Sequence, residues 1–313
     1  MKSYLEILSP ERGRDLASFY IYLPASKDGA YYTRYRFMYE VNPKKPELTY
    51  ENGCNDAANR RFYRIRTADL VRREGETFKT VYRVLSGGEI GFAIKEEGAG
   101  DFVGGFHGDE LLSSVSLTVD GREMSLDKPY FGAFETFSFF EESYICRCNT
   151  PDENIIRHVQ TYTREGDRLL LDQNIEWIAD ARKLHSGFAP MLTAQRVNPD
   201  KTDEILSDTV AFYSAKDELL ATFDTTAFGN GQDGGYHQAG KATRARAWGK
   251  SGLSMEAGYV VRDGSIPDEQ ISAKLWIRGS DNKAYFEITG GTAPKKGTAW
   301  RSDVFYRVTY QPK

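Results

Sequence analysis

The stretch "SVSLTVDGREMSL", residues 114–126, decides what kind of chain this is. Polar and apolar residues alternate up to Asp120-Gly121, a pair suited to the left-handed backbone of a type I′ turn, so the segment reads as a β-hairpin. Its neighbours follow suit. "YYTRYRFMYEV" (31–41) sets Tyr31, Thr33, Tyr35, Phe37 and Tyr39 on one face, and Tyr32, Arg34, Arg36 and Met38 on the other. "RRFYRIRTADL" (60–70) places Phe62, Arg64 and Arg66 together, and "FKTVYRVLS" (78–86) and "GEIGFAIKE" (88–96) continue the pattern. Downstream, "NIIRHVQTYT" turns at "REGD" into "RLLLDQNIEWI", and "TRARAWGKSGLSMEAGYVV" turns at Gly249 to Gly252. "SAKLWIRGSDNKAYFEIT" turns at "GSDN", and "SDVFYRVTYQP" is the last strand.

Helical periodicity is scarce. "SPERGRDLASFY" offers Ser9 as N-cap with Pro10 at the first helical position. "DTVAFYSAKDELL" reads equally as a helix or as two short strands. Hairpin-linked strands without βαβ spacing predict an all-β chain, a large antiparallel β-sandwich with few short helices, as one domain over residues 1–313. The glycine-rich "FGNGQDGGYHQAG" (228–240) is expected to be a long surface loop, a place where function often resides.

Composition narrows the partners. A formal charge of −4 argues against a general nucleic-acid or anionic-membrane binder. No apolar run is long enough to span a bilayer, and none near the start resembles a signal peptide. The expectation is a cytoplasmic protein, or a secreted one whose leader has been removed. Nineteen Tyr and 18 Phe favour pleated, half-buried surfaces, and Tyr also suits sugar faces. Cys54, Cys146 and Cys148 cannot all pair within one chain. The CxC spacing of the last two lacks a second pair or a nearby His, so free buried thiols are expected, with no metal and no cofactor.

Common catalytic motifs are absent. "GAGDFVG" (98–104) has Val103 where a dinucleotide fingerprint needs its third glycine, and "SLDK" (125–128) ends a strand rather than opening a helix. What remains is the placement of four histidines. His107 lies in "DFVGGFHGDELL" (101–112), where glycines could present it to a cleft with Asp109 or Glu110 orienting its ring. The competing reading is a tight turn whose two acids are merely solvated. His237 sits beside Tyr236 in the second glycine-rich loop, and His185 in "KLHSGF".

His158 depends on register. A three-residue turn at 164–168 sets His158 opposite Asn174 and Gln160 opposite Asp172, a polar face shared with Glu176. A two-residue turn sets His158 against Ile175 instead. Arginine placement adds Arg60, Arg64 and Arg66, with Asn52, Asn55 and Asn59 in the loop before them. Such forks suit carboxylates and sulfates, while the plainer reading is solvated strand faces.

The segment "YTREGDRLLLDQNIEWIADARKLHSGFAPML" (162–192) is similar in style to long mutarotase strands carrying a histidine near their ends. The whole pattern resembles the carbohydrate-active β-sandwich of polysaccharide lyases and the galactose-mutarotase-like group. A mutarotase's paired histidines and terminal glutamate do not align here, so no residue role is transferred. The resemblance implies an oligo- or polysaccharide partner.

Three functions follow. The first is a polysaccharide lyase acting on a uronate-containing glycan by β-elimination. Arg64 or Arg60 would neutralise the carboxylate, His107 or His158 would be base, and Tyr236 or His237 acid. Asn59, Arg66, Asn174 and His185 would be further substrate contacts. The second is a mutarotase-like epimerase using a His/carboxylate pair such as one involving Glu110. The third is a non-catalytic glycan-binding or structural sandwich.

Overall fold

A computed structural model describes residues 1–52, 59–85, 90–228, 232–288 and 291–312. Cys54, Asn55 and the start of the 88–96 segment lie outside the described residues. The strands open with β1 (Ser3–Ile7), β2 (Phe19–Pro24), β3 (Tyr31–Asn42), β4 (Arg60–Glu74) and β5 (Thr77–Leu85). After β6 (Ala93–Glu96) comes a single 3-10 turn at Gly105–His107, then β7 (Glu110–Val119), β8 (Arg122–Met124) and β9 (Tyr130–Phe134). A meander of long strands follows: β10 (Phe137–Arg147), β11 (Thr150–Glu165) and β12 (Arg168–Trp177). Then come β13 (Leu184–Gln195), β14 (Val197–Asn198), β15 (Lys201–Ile205), β16 (Thr209–Tyr213), β17 (Leu219–Asp224) and β18 (Gly235–Gly240). The chain closes with β19 (Arg244–Trp248), β20 (Leu253–Val261), β21 (Ser272–Ile277), β22 (Asp281–Glu287) and β23 (Ala299–Tyr310).

Pairing arranges these in two antiparallel rows. One runs β9-β1-β2-β3-β4-β5-β13-β22-β21-β18, with β6 on the other half of β13. The other runs β8-β7-β10-β11-β12-β23-β20-β19-β16-β17. A short parallel contact, Arg60 opposite Glu110, joins them. Their inner faces meet through aromatic rings. Phe19 and Phe37 of the first row contact Phe139 of the second at 4.9 and 5.4 Å, and Phe286 contacts Phe212 and Tyr259 at the other end. These edge-on contacts fill the space between sheets that the alternating apolar residues create.

The alternation along β3 is as expected, with Thr33, Tyr35, Phe37 and Tyr39 all buried. Asp120 and Gly121 take the φ angles of 48° and 75° that a type I′ turn requires. Two expectations need correction. Residues 8–18 contain no helix: Gly13 adopts φ 82°, and Leu8 donates its N–H to the Ser18 carbonyl, so the segment loops from β1 to β2. The glycine-rich 228–240 segment is not all loop. Its second half is β18, paired along β21 and bounded by Gly235 and Gly240, both at φ 72°. The "DTVAFYSAKDELL" segment forms the strand pair β16 and β17.

One buried cation ties several loops together. Arg196 donates to the carbonyls of Arg278, Thr225, Phe228 and Gly279, bridging the end of β21 to the segment that leads into β18. Buried carbonyls of irregular backbone need such partners.

Candidate functional site

The "GGFHGDE" segment is a tight turn that glycine makes possible. Gly104, Gly105 and Gly108 take φ of 88°, 52° and 86°. A Cβ on Gly104 would also stand 3.1 Å from the Phe92 carbonyl and 3.2 Å from Ile145. The two acids that follow are not solvated; both are buried and both are structural. Asp109 accepts the Asn59 amide at 3.1 Å and the Asn149 N–H at 2.9 Å. Glu110 accepts the Gly105 N–H at 2.7 Å and the Ser143 hydroxyl at 2.6 Å.

Glu110 also meets His158, whose Nδ1 lies 2.9 Å from its Oε1, while His158 Nε2 lies 3.0 Å from the Gln173 amide nitrogen. Burial works against the Glu110 charge. The hydrogen bonds from His158, Ser143 and the Gly105 N–H outweigh it and hold the carboxyl below its usual range. Glu141, nearby on β10, goes the other way. Burial, and then the charge of Glu110, push it well above the carboxylate range, and it accepts only the Tyr63 N–H at 2.7 Å among the described residues. A His/carboxylate pair therefore exists, but it is sealed in the core.

A second anchor holds the turn from the β4 side. Arg60 donates to the Phe106 carbonyl and pairs with Glu40, and Arg64 donates to the same Glu40 at 2.6 Å. All three side chains are buried, and the Phe106 ring lies against both guanidiniums, 6.0 Å from Arg60 and 5.3 Å from Arg64. Arg60 and Arg64 are therefore already committed to Glu40 beneath the turn. They do not line an open cleft.

What the turn presents is His107. It faces a cleft of about 370 Å³ lined by Phe102, His185, Phe188, Tyr236, Lys274 and Trp276, with Tyr285 and Glu287 behind. Phe102 packs on the His107 ring at 4.9 Å and on Phe188 at 5.8 Å. Burial drives the imidazole basicity down to about 3, helped by the surrounding Arg60, Lys283, Arg64 and Lys95 charges. At neutral pH the ring is uncharged, and its Nδ1 has no hydrogen-bond partner among the described residues, Asp101 standing 3.8 Å away.

The opposite wall is aromatic. Tyr236, 57% exposed, stacks on Trp276 with centroids 5.0 Å apart and planes 24° from parallel. The indole N–H donates to Asp233 at 3.2 Å, which fixes the ring plane. Lys274 lies over the Phe188 and Tyr236 rings at 5.1 and 5.5 Å, and 3.7 Å from Glu287. The arrangement can seat a flat apolar ring face and an anionic group side by side.

Three of the expected site residues thus converge: His107, Tyr236 and His185, whose Nδ1 lies 3.1 Å from the Ser186 hydroxyl. The rest do not. His237 points to the other side of β18, where its Nε2–H donates to the Gly234 carbonyl at 2.9 Å, because neighbouring strand residues face opposite ways. His158 and Glu110 are interior. Asn59 serves Asp109, and Arg66 is the extra residue of a bulge in β4, where Phe37 and Arg36 face Ile65 and Thr67.

The polar face built on a three-residue turn is also corrected. Arg168 pairs with Glu165 across a two-residue turn, so His158 opposes Ile175 and Gln160 opposes Gln173. Asp172, Asn174 and Glu176 alternate with the buried Gln173 and Ile175 and so point away from the core. Sequence reasoning missed Lys274 and Trp276. Their alternation with Ala273, Leu275 and Ile277 carried the signal: apolar residues inward, a cation and an indole outward.

No protein-family model and no curated protein matches the chain. Among solved structures it is similar to the Slr1438 protein from Synechocystis sp. PCC 6803, with TM-score 0.40 and 10% identity over 88% of this chain and 100% of that one. It is also similar to a heparinase III, the BT4657 gene product, with TM-score 0.34 and 9% identity over 90% of this chain and 35% of that one. The heparan sulfate lyase HepC from Pedobacter heparinus matches at TM-score 0.34 and 9% identity, over 91% of this chain and 36% of that one. The chain therefore spans about a third of the length of those two lyases, and likeness at this distance carries no functional argument.

Proposed function

We propose that the protein binds a uronate-containing glycan in the His107 cleft and cleaves it by β-elimination. One observation carries this reading: an exposed Tyr236–Trp276 stack, a lysine and an uncharged histidine line one cleft. The sugar face rests on Tyr236 and Trp276. Lys274 takes the neutralising role, trading its long, partly exposed contact with Glu287 for the uronate, since Arg60 and Arg64 are buried against Glu40. His107 removes the C5 proton, the freed electron pair forms the C4–C5 double bond, and the C4–O bond breaks. Tyr236 gives its phenolic proton to the leaving oxygen. Burial first and the surrounding cations second depress the His107 basicity, and the uronate charge, brought beside the ring, offsets the cations' share.

Incubation with a panel of uronate polysaccharides, read by ultraviolet absorbance of the unsaturated product, tests the reading. Product is expected from the wild type. Binding without product from any substrate reduces the protein to a glycan binder, and neither binding nor product sinks the reading entirely. Tyr236→Ala is expected to weaken substrate affinity by about two- to tenfold, the range for one lost aromatic contact. Titration calorimetry with an unreactive glycan measures this directly. Unchanged affinity would remove the stack from the site.

A further inference from the structure

We propose a second anion-binding site on the β2–β5 face, formed by Arg34, Arg36 and Arg83, that takes a carboxylate or sulfate group of the same glycan chain. Strand register sets these side chains together: Arg36 opposes Thr67, Arg34 opposes Asp69, and Asp69 opposes Arg83. Asp69 serves two of them, at 2.7 Å from Arg34 and 3.7 Å from Arg83. Arg36 has no ion pair among the described residues, and its Nε lacks a hydrogen-bond partner there. Its guanidinium lies 6.0 Å from the Tyr20 ring, with Arg34 at 5.0 Å from the same ring.

The group is short of negative charge. Arg66 lies close by, its basicity lowered by burial and then by Arg64, opposed by Glu40, with Arg36 and Arg83 adding to the lowering. Guanidiniums that share one carboxylate, beside a neighbour with no ion pair among the described residues, are relieved by an anion that accepts two N–H bonds from a planar fork. Tyr20 offers a ring face beside them.

Position gives the site its meaning. β4 passes under the His107 turn at Arg60 and reaches Arg66 six residues later, a rise of about 20 Å at roughly 3.3 Å per residue. This step rests on the cleft reading above: one extended acidic chain fills both places, and a short fragment fills only the cleft.

The test uses the full chain, with calorimetry at low and moderate salt. The probes are polygalacturonate, dextran sulfate and a digalacturonate fragment. Arg36→Gln/Arg83→Gln is expected to weaken polymer binding by about three- to tenfold per arginine and to flatten its salt dependence. Fragment affinity and product formation from the fragment stay unchanged. The polymer that loses more identifies carboxylate or sulfate as the preferred group. Arg36→Lys keeps the charge without the fork and is expected to recover only part of the loss. Polymer affinity and salt dependence that match the wild type overturn the proposal, as does a wild type that binds neither polymer. If Tyr236→Ala leaves polymer binding intact while the arginine variants weaken it, the cleft reading fails and this site stands.

Discussion

Glu40→Gln is expected to lower stability by about 3–5 kcal/mol, the cost of leaving buried charges without their partner. Glu40 is the shared counter-ion of Arg60 and Arg64, and all three lie under the Phe106 ring. An amide keeps the shape and removes the charge, so two guanidiniums remain buried without it. Urea unfolding at pH 7 measures the loss. Burial resists the Glu40 charge, but Arg64 and Arg60 prevail and hold its carboxyl below the ordinary value of 4.5.

That lowered value fixes the sign of the pH dependence. The stability it supplies is fully present above that ordinary value and disappears as pH falls through the folded-state value. The gap between wild type and Glu40→Gln should therefore narrow on acidification. A variant within 1 kcal/mol of wild type at neutral pH would show that the triad carries little charge load (threshold set by the roughly 1 kcal/mol worth of exposed pairs). Replacing Glu40, Arg60 and Arg64 together by methionine should recover much of the stability. It should not recover activity, because Arg60 no longer holds the Phe106 carbonyl and the His107 turn loses an anchor.

His107→Gln is expected to cut kcat/KM by about 10²- to 10⁴-fold, the usual contribution of a positioned base. The same variant also has a pH signature, set by the burial of the ring. In the folded protein the imidazole takes a proton only near pH 3, against an ordinary value of 6.5. Below pH 6.5 the unfolded chain gains that proton and the folded one does not, so wild-type stability falls as pH falls through this window. The difference reaches about 3 kcal/mol by pH 4. His107→Gln should be spared that loss while keeping near wild-type stability at pH 7. Activity within twofold of wild type would remove His107 from the centre of the site, and an unaltered acid limb would show that burial does not hold its ring neutral.

The strands were legible because alternation and turn chemistry agree. Thr33 to Tyr39 bury the expected face, and Asp120-Gly121 turns as its composition dictates. The helix at Ser9 was not, since Gly13 and the closure from Leu8 to Ser18 override a local cap. The site was half legible. His107 stands out between its glycines, but composition alone leaves Tyr236 and His237 in one glycine-rich loop, and only strand pairing separates them onto opposite faces. Glu110 and His158 lie far apart in sequence. They meet because β7 and β11 both flank β10, an adjacency no local pattern announces. The register at Gly166-Asp167 turned on a single residue of loop length, which composition alone leaves open.

The amide of Gly105 links the half-buried turn to the interior. It donates to a carboxylate whose other oxygen faces His158, in a layer that also holds Glu141. Its proton resonance is therefore a built-in spectroscopic probe. A downfield signal is expected while Glu110 stays ionised, moving upfield when that carboxyl takes up a proton. A single backbone nucleus would then report, without any label in the cleft, whether the core is still holding His107 in place.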